Sequence, residues 1–262
     1  MTASVLGSEL RRWRAEGLRP TLWWRDDDAG RASPRLDRLL ALATALEVPL
    51  ALAVVPAALE PSAADAIASC ACATPVQHGY AHRNHAPAGA RKCELGDERP
   101  LPIVSGELAE GSAVLGRRFG PRFAAVLVPP WNRVATGVLA ALPALGFRGV
   151  STYGPRSSAS STPGLRQCNA HVDIVDWRGS RRFVGAEAAD GMLAAHLAGR
   201  REGRVDRLEP TGILTHHLVH DEAAWQWLRA LVEATRADDA AAWIDAGAAF
   251  GPGTSATCGR FA

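Results

Sequence analysis

Three consecutive carboxylates, Asp26-Asp27-Asp28, and two histidine clusters, His78/His82/His85 and His216/His217/His220, are the side chains in this sequence best able to do chemistry. The chain has 8 histidines, and six of them fall in those two short windows. An aspartate with two histidines is a three-ligand set for a catalytic divalent ion such as Zn²⁺, with one coordination position left open for water. His78 and His82 are spaced to bring two imidazoles together on one helical turn or on a tight loop at a strand end. Adjacent carboxylates permit a division of labour, one neutralised on the ion and its neighbour left as general base. Taken singly, each feature also has an ordinary reading: an acidic turn or helix cap for the aspartates, surface or core packing for the histidines.

The elements around these residues favour the chemical reading. Hydrophobic patterning predicts strands over 21–25, 49–55, 75–77, 123–128, 148–152, 171–175 and 212–215. Helices are predicted over 8–15, 34–46, 63–71, 106–118, 134–142, 187–200 and 221–235, the second opened by Ser33-Pro34 as N-cap and first helical proline. Residues 86–102 and 157–163 read as loops. Strand and helix alternate about seven times, which calls for a parallel sheet with helical crossovers. An open nucleotide-binding sheet would carry a glycine-rich turn after its first strand. Here that turn is Asp26-Asp27-Asp28, which repels a pyrophosphate. The polar segments 24–28, 78–82, 129–132, 173–177 and 215–217 each follow a predicted strand. In a (β/α) barrel the C-terminal strand ends converge on one face and carry the chemistry, so a barrel is expected.

Composition narrows the partners. With 262 residues, 47% hydrophobic and 21% charged, the chain has the makeup of a globular protein and is expected to form one domain over 1–262. The 29 basic and 27 acidic residues leave a net charge of +2, without the dense basic surface that nucleic-acid binding requires. Nearly all the positive charge is arginine, and Lys92 is the only lysine. No apolar run is long enough for a membrane span, and the first residues lack a signal-peptide core, so a cytoplasmic location is expected. The 5 cysteines are irregularly spaced and expected to be reduced thiols.

The order of motifs resembles the polysaccharide deacetylase superfamily, carbohydrate esterase family four and its relatives. Arg25-Asp26-Asp27-Asp28-Ala29-Gly30 is similar to the family's opening strand that runs into an Asp-Asp pair. His78-Gly79-Tyr80-Ala81-His82 matches its second motif in order and spacing, and Val128-Pro129-Pro130-Trp131-Asn132 is similar to its Arg-Pro-Pro-aromatic turn. Asp173-Ile174-Val175-Asp176-Trp177 and Leu214-Thr215-His216 complete the series, which spans residues 25 to 216. The resemblance implies an α/β fold, a distorted (β/α)7-type barrel with parallel strands and outer helices. It also implies a metal-dependent hydrolase that removes an N-acetyl or similar acyl group from a small carbohydrate or glycoconjugate. In that scheme Asp28, His78 and His82 hold a divalent ion, Zn²⁺ first, with Co²⁺, Ni²⁺, Mn²⁺ or Fe²⁺ also compatible. Asp27 acts as base and His216 as acid. Trp131, Asn132 and Trp177 contact substrate, and the backbone N–H of Trp131 or Asn132 faces the oxyanion.

Departures from the pattern leave alternatives open. Three aspartates in a row permit Asp26-Asp27 as well as Asp27-Asp28 for the base and ligand. The family's arginine before Pro-Pro is Val128 here, and Arg25, Arg133 or Arg178 could stand in for it. Strand alternation lets only one of His216 and His217 face the site. His85, His217 and His220 are extra to the family pattern, and Trp225 and Trp227 read as packing or surface residues. Two other readings compete: an inactive carbohydrate-binding or regulatory protein on the same barrel, and a metal-independent sugar hydrolase working with two carboxylates.

Overall fold

The computed structural model describes residues 4–251 and 259–260; Cys258 lies outside them. Ten strands form one curled sheet: β1 (Thr21–Ala29), β2 (Leu50–Val54), β3 (Ala73–His78), β4 (Val126–Val128), β5 (Gly149–Val150), β6 (Ser160–Thr162), β7 (Leu165–Gln167), β8 (Val172–Asp173), β9 (Thr211–Thr215) and β10 (Ala242–Trp243). The spatial order is β6-β7-β5-β4-β3-β2-β1-β9-β8, and β10 also pairs with β1. All these pairings are parallel except β6 with β7.

The segment 165–173 brings the two edges of the sheet together. Its first half pairs with β5 and its second half with β9, with a Tyr153–Ala170 bridge between. A seven-strand ring follows, made of β1 to β5, this segment and β9, and the architecture is the distorted (β/α)7 barrel that the motifs imply. Around it lie α1 (Val5–Ala15), α2 (Pro34–Ala45), α3 (Pro61–Ser69), α4 (Leu101–Phe119), α5 (Thr136–Ala141), α6 (Ala186–Arg201) and α7 (Glu222–Arg236).

Alternation along β1 organises the core. Leu22 and Trp24 point outward into the layer under the helices, with Leu36, Leu39, Leu193 and Leu228. Trp23 points into the barrel, where small residues, Ala51 and Ala53, leave room for it. The short helix α8 (Ala246–Phe250) plugs this end, and Phe250 meets Trp23 edge-on with ring centroids 5.7 Å apart. Each such buried aromatic removes enough apolar surface to stabilise the fold by roughly 2–3 kcal/mol.

Among the differences from the sequence-based expectation, three stand out. β1 runs to Ala29 instead of ending at Arg25, because the charged residues 25–28 find partners inside the protein. α4 begins at Leu101, with Pro102 in its first turn, where the missing N–H has no helical partner to lose. Residues 160–167 form a hairpin, although their Ser-Thr-Pro-Gly composition reads as loop. Among the described residues no helix is long and apolar enough to cross a membrane.

Candidate active site

The C-terminal strand ends enclose a cavity of about 400 Å³ lined by Asp27, Asp28, His78, His82, Trp131 and His216, among others. A larger apolar groove of about 610 Å³ lies between α1, α6 and α7, but the residues with chemical potential converge on the smaller cavity.

Two consecutive strand residues ordinarily face opposite sides, yet Asp27 and Asp28 both reach this cavity. The pairing of β1 with β2 slips between Asp26 and Ala29, and Asp28 adopts φ +72°. That irregularity turns Asp28 back toward the mouth. His82, Trp131 and Asn132 also have positive φ, at 53°, 56° and 55°. Such backbones cost about 1 kcal/mol or more each, and here they concentrate around one cavity.

Asp28 Oδ1 lies 3.1 Å from His78 Nε2 and 3.2 Å from His82 Nε2. His78 Nδ1 donates to the Val128 carbonyl at 2.9 Å, so when the ring is neutral its lone pair is on Nε2, the atom that faces Asp28. The three ligand atoms lie within 4.8 Å of one another. Acceptors aimed at one point fit a divalent cation, and an Asp-His-His set with an open side suits catalytic rather than structural binding. Burial pushes the Asp28 carboxyl up, but hydrogen bonds from both histidines outweigh it and hold the group well below the ordinary carboxylate range. Burial alone would lower the His78 imidazole; the Asp28 hydrogen bond and the charges of Asp27 and Asp28 raise it instead.

The turn that carries the histidines is held by a residue outside every motif. Buried Glu94 accepts from the N–H groups of Tyr80, Ala81 and Arg83. Gly79, at φ +52°, leaves it no spare room, since a Cβ there would stand 1.9 Å from Glu94 Oε2.

Asp27 is gripped by Arg25, whose Nη2 donates to Oδ2 at 3.0 Å while Nε sits 2.9 Å from Oδ1 as an ion-pair contact without hydrogen-bond alignment. The fully buried guanidinium also donates to Asn132 Oδ1, Ser151 Oγ and the carbonyls of Ser151 and Thr152. Of the three arginines offered for the missing motif position, Arg25 is therefore the one on Asp27. Arg133 donates to the Lys92 carbonyl, and Arg178 is exposed.

Asp26 points the other way and is wholly buried. His217 Nδ1 lies 2.5 Å from Oδ1, and the Thr215 hydroxyl and His217 N–H donate to Oδ2. Burial raises the Asp26 carboxyl, but the His217 charge and hydrogen bond outweigh it and lower it overall. His216, one residue along, faces the cavity with Nε2 4.0 Å from Asp27 Oδ2, and Trp177 stands edge-on to it at 4.8 Å. Trp177 Nε1 donates to Asp173, whose carboxyl burial pushes up. Asp176 instead caps the exposed turn at Gly179 and Ser180. Trp131 lies 4.5 Å from His82. Asn132 donates its N–H to Pro129 O, which leaves the Trp131 N–H as the free donor of the two.

The remaining histidines sit elsewhere. His220 Nε2 accepts from the His216 N–H, and burial pushes its imidazole down to about 4. The His85 N–H donates to Cys93 O, and His85 does not line the cavity. Trp225 and Trp227 are buried packing residues. A second group, His171, His196 and Glu209, lies at the opposite end of the barrel. There Gly212 N–H donates to His171 Nδ1, so Nε2 must carry the proton that faces Glu209, and no lone pair is left for an ion.

No family model matches the sequence, and no curated protein does. Solved structures do match. A protein assigned to the polysaccharide deacetylases, from Mycobacterium smegmatis, superimposes with a TM-score of 0.61 at 17% identity, over 87% of this chain and 88% of that one. The chain has the polysaccharide deacetylase fold. A peptidoglycan N-acetylglucosamine deacetylase matches with a TM-score of 0.57 at 14% identity, over 91% and 95% of the two chains. A family 4 acetyl xylan esterase from Clostridium thermocellum, solved with cobalt, matches at 0.55 and 14%, over 88% and 90%. A family pseudoenzyme from Bacillus anthracis matches at 0.53 and 11%, over 84% of this chain and 62% of that one. The fold is thus shared by active and inactive proteins.

Sequence reasoning missed Glu94 and gave Asp173 a motif but no role. It also assigned nothing to Lys92 and Arg181, which line the cavity. Glu94 had no local signal, because its partners are backbone groups brought to it by the turn.

Proposed function

We propose that this protein is a divergent polysaccharide deacetylase family member, a metal-dependent hydrolase that removes an N-acetyl or similar acyl group from a sugar or glycoconjugate. The observation that carries this reading is the convergence of the Asp28, His78 and His82 ligand atoms beside an arginine-held Asp27 and a facing His216. A divalent ion on those three ligands, Zn²⁺ in the first instance, would polarise the acyl carbonyl and lower the pKa of water.

The chain's own residues supply the rest. Asp27, oriented by Arg25, takes the proton from the attacking water. The free N–H of Trp131 offers a hydrogen bond to the developing oxyanion. His216, across the cavity, delivers a proton to the leaving amine. Trp131 and Trp177 both line the cavity, and their rings suit stacking on a sugar. Asn132 spends its carbonyl oxygen on Arg25, which leaves its amide NH2 to face the substrate.

Fold alone does not separate this reading from an inactive relative, since a pseudoenzyme shares it. Arg25 speaks for activity, because it occupies the role left vacant by Val128. The test is metal content of the purified protein together with acetate release from N-acetylated amino sugars. Asp28→Ala should abolish stoichiometric metal binding, while Asp27→Asn should keep the metal and lose turnover. Metal without turnover in the wild type would favour the inactive relative, and absence of metal binding would overturn the mechanism.

A further inference from the structure

Three segments around the cavity are rich in cations. Residues 79–93, 129–135 and 177–185 carry Arg83, Arg91, Lys92, Arg133, Arg178, Arg181 and Arg182 and no acid, with Glu94, Asp97, Glu98 and Asp176 just outside them. Seven of the chain's 29 basic residues lie in these three segments. Three of these cations, Lys92, Arg133 and Arg181, line the cavity itself.

They come from three different segments of the chain. Lys92 Nζ stands 5.9 Å above the Trp131 ring, and Arg133 is tied to the same wall through the Lys92 carbonyl. Arg181 follows Trp177 in the turn that Asp176 caps, and its backbone adopts φ +54°. None of the three forms an ion pair with a carboxylate among the described residues. The carboxylates that do line the cavity have other work: Asp27 is held by Arg25, Asp28 faces the two histidines, and Asp173 accepts from Val175 N–H and Trp177. Unpaired cations at the rim of a concave, low-dielectric site attract anions and raise their rate of encounter. A cavity of about 400 Å³ has room for one sugar-sized unit with a substituent.

We propose that the substrate of this site carries an anionic group, phosphate or carboxylate, beside the acylated centre, and that the lining cations Lys92, Arg133 and Arg181 bind it. The inference rests on the deacetylase reading for the acyl group and adds the charge of what bears it. A neutral oligosaccharide would leave these cations without a partner in the complex.

The experiment compares N-acetylglucosamine 1-phosphate, N-acetylmuramic acid and uncharged N-acetylglucosamine on the metal-loaded full chain. The expected result is a kcat/KM at least 10-fold higher for an anionic compound at low salt, expressed in KM and eroded by 0.5 M NaCl. The phosphate and carboxylate arms distinguish the two sources of charge. Lys92→Met with Arg181→Met should collapse the ratio between charged and uncharged compounds toward one. Binding of the same compounds to the metal-free chain, by calorimetry, removes any direct attraction of phosphate to the ion and should show the same preference. Equal binding of charged and neutral compounds, or a preference that survives the double substitution, would overturn the proposal. Turnover of the neutral sugar without charge preference would overturn it while leaving the deacetylase reading intact. Selective anion binding without any turnover would do the reverse.

Discussion

Replacing Arg25 by methionine tests the centre of the site. The side chain is fully buried and donates to five oxygens spread over β1, the Trp131-Asn132 turn and the end of β5. Methionine keeps similar volume but leaves Asp27 a buried carboxylate with no countercharge. Breaking a buried pair from one side costs about 3–5 kcal/mol. Domains of this kind have about 5–15 kcal/mol in total, so Arg25→Met should lose a large fraction of stability in urea denaturation. Asp27→Asn removes the charge while leaving the guanidinium its other four acceptors and should cost less. The double variant should then be more stable than Arg25→Met alone, with a coupling energy of about 2–3 kcal/mol, since the penalty is the stranded charge rather than lost volume. Asp28, His78 and His82 are untouched, so the folded double variant should still bind metal. Additive losses, within about 0.5 kcal/mol, would refute the idea that Arg25 acts by compensating Asp27.

Gly79→Ala should lower metal affinity by at least 10-fold in calorimetry, because its Cβ would stand 1.9 Å from Glu94 Oε2 and the His78–His82 turn must shift. Glu94→Ala should destabilise the protein by several kcal/mol, measured in urea, as three backbone N–H groups lose their acceptor. A divalent ion at 100 times its Kd should stabilise the wild type by about 2.7 kcal/mol and leave Asp28→Ala unmoved, a difference visible as a Tm shift. Burial pushes His196 down to about 2, against 6.5 for the free imidazole. Between those values the unfolded chain takes up a proton that the folded one refuses, so stability is full above pH 6.5 and falls by about 1.4 kcal/mol per unit on acidification below it. His196→Gln should flatten that slope in denaturation curves recorded from pH 4.5 to 7.

Much of the architecture was legible because periodicity is a local property. The alternation of apolar strands and amphipathic helices is written in the order of residues, and so was the convergence of polar segments at strand ends. The site was legible to the extent that ligand types keep fixed spacings, as in His78-Gly79-Tyr80-Ala81-His82. What was hidden depends on contacts distant in sequence. β1 reads as ending at Arg25 because charged residues look like a turn until their buried partners are known. The slip beside Asp28 leaves no trace in composition, since aspartate with positive φ is chosen by the fold around it. The choice of Arg25 over Arg133 and Arg178 could not be read locally either, as it follows from which side chain points into the barrel behind Asp27. Glu94 is the extreme case, a lone acid in a long loop until the turn folds onto it.

The three aspartates explain why so many like charges can share one strand end. Carboxylates about 4 Å apart repel by about 4 kcal/mol at the effective dielectric of a protein surface, so each needs its own compensation. Strand alternation sends Asp26 outward to His217 and Thr215, and Asp27 inward to Arg25. Without the slip in β1, Asp28 would follow Asp26 to the outer side; the slip turns it to the mouth, where it meets His78 and His82. The first two partners come from the fold itself and are shut away from solvent. The third pair is half-open to the cavity, so Asp28 is the carboxylate whose compensation can be exchanged for an added cation. Two neighbouring acids with different partners thus arise from one irregular step in an otherwise regular strand: Asp27 is locked to an arginine, and Asp28 faces the two histidines at the mouth. Straightening that step would return Asp28 to the outer face and separate the two acids even with every side chain retained.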